Sequence, residues 1–304
     1  HGVQTTLDLI AGYLGVPKQE IDFLSAGINH MGWFLKMSHK GQDLYPRFKA
    51  LCEKPEYYIN EKVRIEVMRH FGYFMTESTG HLSEYVPWFR SSAEGMGRYC
   101  DEPSFGGETG AYFKWCRLIA DQLENVDMLA EESAALDGRS VEYCSYILEA
   151  LTTGVPFKFQ GNVRNEGYIT NLPMGCCVEV PVFADKMGLH PTFVGAIPSQ
   201  CAALNLTNVN VQGLSVEAAV SGDPELVVAA CALDPLTSAC LTLKQVRDMV
   251  ADMLEAEKQW LPQFAGKSLR PAPHIDTPPG TPHASVPLDP ALAVVHRFGE
   301  LAEK

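Results

Sequence analysis

No stretch of the 304 residues is apolar and long enough to cross a bilayer, and the start of the chain does not read as a signal peptide. Basic charge is scarce. Lys and Arg total 24 against 37 Asp and Glu, a formal charge of -13. An acidic surface repels nucleic-acid phosphates and anionic lipid, so neither nucleic acid nor membrane is an expected partner. Phosphate-binding loops are missing too: no G-x-G-x-x-G follows a strand, and no G-x-x-x-x-G-K occurs. The short "GGETG" at 106–110 has no strand before it and reads as a loop. There is no G-x-S-x-G elbow and no H-E-x-x-H pair, which removes two common hydrolase chemistries. None of the nine cysteines stands in a Cys-x-x-Cys pair, and their number is odd. That pattern predicts reduced thiols in a cytoplasmic protein, most of them small core residues.

What is present is the composition of an ordered globular protein, 46% hydrophobic and 20% charged. The chain begins with His rather than Met, from which we expect a start in mid-protein. Residues 5–15 place Leu7, Ile10, Ala11 and Leu14 on one helical face. In "WFLKMSH", Trp33, Leu35 and Met37 alternate with Phe34, Lys36 and Ser38, the period of a strand covered on at least one side. Helices are expected over "DLYPRFKALCEK", 59–72, 110–135 and 139–152, the last capped by Gly154. After Pro156, short β-branched runs broken by Gly, Asn and Pro predict several strands, "CCVEVPVF" the best of them. Helical pattern returns from about 198, with an amphipathic stripe of Val246, Met249, Val250, Met253 and Leu254. "PAPHIDTPPGTPHASVPLDP" reads as a proline-rich linker and "ALAVVHRFGELAEK" as a short helix. The sum is an α+β fold, with a domain over 1–265 and a proline-rich tail over 266–304.

Two segments carry candidate chemistry. His30 follows Asn29 in a glycine-led turn just before the alternating strand. Imidazole suits a divalent metal, and Asn29 offers both donor and acceptor to a sugar hydroxyl. One histidine makes no metal site, however, so residue chemistry alone favours an ordinary hydrogen-bonded histidine. "TESTGHLSEYVPWFR" sets His81, Glu84, Tyr85 and Arg90 beside Trp88 and Phe89 in a loop or a short broken helix. Aromatic faces next to polar groups suit a sugar, and a tyrosine serves as a base where a cation lowers its pKa. An aromatic loop packed on the core explains the same residues equally well. The asparagines of "GNVRNEGYITNLP", Asn165 and Asn171 among them, are better explained by turn formation than by a ligand.

Taken together, "AGINHMGWFLKMSHKGQDLYP", "TESTGHLSEYVPWF", "GNVRNEGYITNLPMGCCVEVPVF" and "CAALNLTNVNVQ" resemble the family 4 glycoside hydrolases, on their α-galactosidase and α-glucosidase side. The likeness runs from residue 1 to about 265. It implies a lactate/malate-dehydrogenase-like C-terminal domain, with helices around a mainly antiparallel sheet and the NAD-binding domain outside this chain. It also implies NAD and a divalent metal, usually Mn2+, as cofactors, a small carbohydrate substrate and a homo-oligomer. Family chemistry is oxidation at C3 by NAD, removal of the C2 proton, elimination of the glycosidic oxygen, addition of water and return of the hydride. By this resemblance His30 is the metal ligand, Tyr85 the base, with His81 or Glu84 the alternative match, and His1 a group near the leaving oxygen. Asn29, His81 and Glu84 fall on the sugar. "HGV" matches the last three positions of a motif whose first residue, a metal-binding cysteine, precedes His1. Gly2 stands where some members carry Ser or Glu, a difference that bears on sugar preference and leaves an α-galactoside, an α-glucoside and a uronide all open. The chain alone is expected to be inactive. The competing expectation is a non-catalytic binding or oligomerisation module that has kept the fold.

Overall fold

The computed structural model describes residues 2–100, 111–123, 139, 142–282, 284–285 and 298–299. The chain divides into two units, His1–Leu269 and Arg270–Lys304. In the second, the described part has no regular element before residue 298. His1, the candidate motif residue, lies outside the described residues, as do most of the expected C-terminal helix and the expected helix beyond Leu123.

The first unit is α+β, as its pattern predicts. Helix α1 (Gly2–Leu14) leads into β1 (Ile21–Ile28), β2 (Met31–His39) and the short β3 (Gln42–Asp43). Helices α2 (Tyr45–Cys52), α3 (Pro55–Tyr58), α4 (Lys62–Phe71) and α5 (Thr79–Tyr85) follow. After α6 (Ala93–Tyr99), α7 (Ala111–Leu123) and α8 (Cys144–Thr153) come β4 (Phe157–Arg164), β5 (Cys177–Asp185) and β6 (Gly188–Pro191). The unit closes with α9 (Ser199–Ser221), α10 (Pro224–Leu233), α11 (Pro235–Cys240) and α12 (Leu243–Ala256). The sheet runs β3-β2-β1-β5-β4, with β6 on β5, and every strand pairing is antiparallel.

The side chains of β2 divide between two cores, in alternation as far as Leu35, where a bulge opposite Leu24 and Ser25 shifts the register and turns Met37 to the side of Phe34. Met31 and Trp33 join β5 residues Val178, Val180 and Val182 and α9 residues Cys201, Ala202 and Leu204 on one face. Phe34 and Met37 meet α1, α2 and the Ile65–Met68 side of α4 on the other. The strand is therefore covered on both faces, and Trp33 and Phe34 are both fully buried. Helix ends follow local chemistry. Gly72 and Gly154 take left-handed φ of 89° and 83° after α4 and α8, and each amide bonds the carbonyl four residues back. The "EST" before α5 starts a helix because the Ser78 hydroxyl accepts the His81 amide at 3.3 Å.

The segment before α5 is anchored to the sheet. Phe74–Thr76 runs along β2: Phe34 N donates to Phe74 O at 2.9 Å, and Thr76 N to Gly32 O at 3.0 Å. Residue 77 thus emerges beside the β1–β2 turn. Asn165 and Asn171 serve the backbone, as expected. Asn165, fully buried, donates to the carbonyls of Ile169, Leu172 and Pro173 and accepts from the amides of Gly167 and Ile169. Asn171 exchanges both bonds with Ile197.

Candidate active site

β1 and β2 form a hairpin in which Ile28 faces Met31 and only Asn29 and His30 make the turn. His30 takes φ 61°, one of two described non-glycine residues at positive φ. That region favours glycine or asparagine and costs a branched backbone about 1 kcal/mol or more. The turn throws the imidazole off the sheet end toward α5. There the spacing 81, 84, 85 stacks three polar side chains on one helical face.

The imidazole is gathered into a compact cluster. Tyr85 Oη lies 3.4 Å from His30 Nδ1. The His81 ring sits over the His30 ring, centroids 4.4 Å apart. His81 Nδ1 is 3.5 Å from Glu84 Oε2, and Arg90 closes the edge 4.0 Å from Glu84 Oε1. On the other side, Glu77 Oε2 stands 3.9 Å from His30 Nε2. Glu77 also faces the start of α1, where a Cβ on Gly2 would come within 2.5 Å of its Oε2. Asn29 is exposed at the same turn. Of the predicted residues, His30, His81, Glu84 and Tyr85 are thus brought into contact, with Asn29 adjacent.

Glu77 was not legible as a site residue, although it begins the "ES" that caps α5. Two asparagines of α9 were missed as well. Asn205, fully buried, accepts Trp33 Nε1 at 2.9 Å and donates to Met31 O at 2.7 Å, which pins the end of the turn. Asn208 donates to Tyr85 O at 3.1 Å and holds the last residue of α5. In the sequence both sit in "CAALNLTNVNVQ", where a polar residue on a helix reads as solvent-facing.

Burial sets the electrostatics. It lowers the His30 pKa, and the Glu77 charge opposes it only in part. It raises the Tyr85 pKa, with the charges of Glu84 and Glu77 adding to the rise. The expected cation that would make Tyr85 a better base is not supplied by a described side chain in contact with its hydroxyl. On β5, level with Gly27 of β1, Glu179 is pushed up to about 7, chiefly by burial.

The donor set fits a divalent cation in kind. A largely neutral imidazole and a carboxylate converge, one borderline ligand and one hard one. They do not complete a site, since among the described residues no group of three His, Cys, Asp or Glu is placed to hold an ion. A dinucleotide finds no such fit. Among the described residues the named strands pair antiparallel throughout, with no strand–Gly-rich turn–helix crossover to seat a pyrophosphate.

Residues 25–237 match the family model described as the family 4 glycosyl hydrolase C-terminal domain. An α-galactosidase of Rhizobium meliloti (strain 1021) is 39% identical over 275 residues, covering 87% of this chain and 56% of that protein. The chain belongs to glycoside hydrolase family 4. A second family 4 relative, an α-galactosidase of Bacillus subtilis (strain 168), is 38% identical, covering 87% of this chain and 61% of its own length. More distant is an α-galacturonidase of Lachnoclostridium phytofermentans (strain ATCC 700394 / DSM 18823 / ISDg), 27% identical over 82% of this chain. The chain spans 56–61% of the two α-galactosidases. Two solved structures share the fold. A 6-phospho-α-glucosidase from gut microorganisms, in complex with NAD and glucose-6-phosphate, aligns with TM-score 0.64 at 22% identity, covering 85% of this chain and 59% of the other. A 6-phospho-β-glucosidase of Thermotoga maritima, with manganese, NAD+ and glucose-6-phosphate, aligns with TM-score 0.63 at 16% identity, covering 86% and 59%.

Proposed function

We propose that this chain forms the sugar- and metal-facing part of an NAD- and divalent-metal-dependent α-galactosidase. The observation that carries this reading is the convergence of His30, Glu77, His81 and Tyr85, drawn from a strained hairpin turn and a capped helix with 46 residues of chain between His30 and Glu77. The identities near 39% to α-galactosidases support the sugar class. A bound divalent cation supplies Lewis-acid charge at such a site.

The chain's own residues bind, orient and move protons. His30 offers Nε2 to the cation, with Glu77 beside it. Tyr85, its oxygen against His30 Nδ1, would act as base in its phenolate form, its own proton first released to solvent, and so take the C2 proton. Asn29, His81 and Glu84 accept and donate to the sugar hydroxyls, and His1 serves the departing oxygen. The nucleotide seat lies in sequence outside these 304 residues, and the setting is a reducing cytoplasm, which nine unpaired thiols support. Among the sugars left open, the substrate is a neutral galactoside rather than a uronide. The space beside Gly2 is taken by the Glu77 carboxylate, which repels an anionic sugar.

Hydrolysis of 4-nitrophenyl α-galactoside tests this reading. The chain alone should give no turnover. Joined behind the N-terminal part of the Rhizobium relative, it should hydrolyse the galactoside only with both NAD and Mn2+. Turnover that survives removal of both overturns the mechanism, and no turnover with both present favours a binding module.

A further inference from the structure

We infer that Arg64 is a positioning residue for the cluster around His30, acting through its buried pair with Glu61. Arg64 is 3% exposed, a guanidinium placed inside the protein. Its polar partners among the described residues are Glu61, Thr6 and the Met75 carbonyl, not the side chains proposed to face the sugar. What it touches are the backbones and hydroxyls that fix them.

Its fork meets Glu61 twice, Nε on Oε2 at 2.7 Å and Nη2 on Oε1 at 2.6 Å. Nη1 donates to Thr6 Oγ1 on α1 at 2.7 Å and to Met75 O at 3.4 Å. The Thr6 hydroxyl donates in turn to Thr76 O at 2.8 Å. Glu61 uses Oε2 to accept the Thr79 hydroxyl, in the first turn of α5, at 2.9 Å. The Phe74 ring lies under the guanidinium, 4.8 Å from its centre. Residues 74, 75, 76 and 79 are therefore all tied to one ion pair, and Glu77 and Ser78 are the two residues between the ties.

The consequence reaches the cluster from both directions. Thr76 N is bonded to Gly32 O, two residues after His30, so the same segment sets the position of the turn. Thr79 begins the helix whose far end carries His81, Glu84 and Tyr85. Through Thr6, α1 is held at a fixed distance from Glu77. One guanidinium thus sets the mutual placement of α1, the Glu77 segment and α5, which meet at His30. A bidentate fork does this better than an ammonium, because its planar geometry fixes direction as well as distance. Removing one partner leaves the other charged and buried, whereas removing both in favour of apolar side chains is often tolerated. Stability and positioning are therefore separable.

The test uses the 304-residue chain, needs no turnover, and so stands apart from the reading under Proposed function. Three variants are compared with the parent: Glu61→Gln, Arg64→Lys and the double Arg64→Met/Glu61→Leu. Thermal midpoints by circular dichroism report folding. Ring-proton nuclear Overhauser effects of His30 to His81 and of His30 to Tyr85 report the cluster. The double variant is expected to melt within a few degrees of the parent yet lose at least half of both effects. Arg64→Lys and Glu61→Gln are expected to lose a comparable fraction while staying folded. Full retention of both effects in any folded variant of the three makes the pair merely structural and overturns the inference. Should the double variant not fold, the two conservative variants decide the matter alone.

Discussion

Replacing His30 by glycine and by alanine separates what its backbone costs from what its ring provides. Both substitutions remove the imidazole and its contacts with His81 and Tyr85. They differ in one methyl group and in backbone preference. At an ordinary position alanine is the more stable choice by about 0.5–1 kcal/mol, because glycine loses more freedom on folding. At φ 61° the order reverses. A Cβ there meets the following carbonyl at a cost of about 1–2 kcal/mol, and glycine avoids it. The net expectation is that His30→Gly is more stable than His30→Ala by about 1 kcal/mol. In a unit of this size that is about 2–4 °C of thermal midpoint. Urea unfolding followed by tryptophan fluorescence gives the same difference at constant m. Isothermal titration with Mn2+ completes the assay: both variants should bind the ion at least tenfold more weakly than the parent. If alanine equals or exceeds glycine in stability, the turn is not strained. If Mn2+ affinity is unchanged, the imidazole is not a ligand and the strain has another cause.

Tyr85→Phe should lower turnover of an α-galactoside by about 10²–10⁴-fold, in the chain joined to a nucleotide-binding part, and leave stability near that of the parent; a rate within a factor of three would remove Tyr85 as the base. Asn205→Leu takes away the acceptor of Trp33 Nε1 and a donor to the Met31 carbonyl, both buried, so urea unfolding should show a loss of about 1–3 kcal/mol. Glu179 makes stability fall with rising pH: its folded pKa, about 7, lies above the ordinary carboxylate value, so the folded state holds the extra proton between about 4.5 and 7. Stability should drop across that window by up to about 3 kcal/mol, and Glu179→Gln should abolish the slope in urea titrations at pH 5 and 7.5.

Much of the frame was legible because local rules and the fold agree. The alternation in "WFLKMSH" named β2, Gly154 marked the end of α8, and Asn165 was rightly read as a turn-maker. β1 was not legible, since Ser25, Ala26 and Gly27 give a strand no β-branched signature. Glu77, Asn205 and Asn208 escaped for a different reason. Their roles depend on contacts 47, 174 and 123 residues distant along the chain, and no periodicity records those. The place of His30 in a turn before a strand was legible, but its left-handed backbone was not, since a histidine there breaks the turn preference that sequence reading relies on.

That break has a physical logic once the charges around it are considered. Each resolved shift at this end of the sheet favours a neutral form: His30 goes down, while Tyr85 and Glu179 go up, and burial is the first cause in all three. Where side chains are partly withdrawn from water, an added charge acts with more force than in bulk solvent. A hairpin of glycine or asparagine would close at lower cost and leave nothing for a cation to meet. The strained histidine supplies a neutral nitrogen at the one place where α1, the Glu77 segment and α5 converge. Under the proposed reading, the Tyr85 hydroxyl, whose pKa burial and the two neighbouring glutamates raise, would become a base only with a cation bound beside it, so withholding Mn2+ should abolish turnover and leave the fold intact.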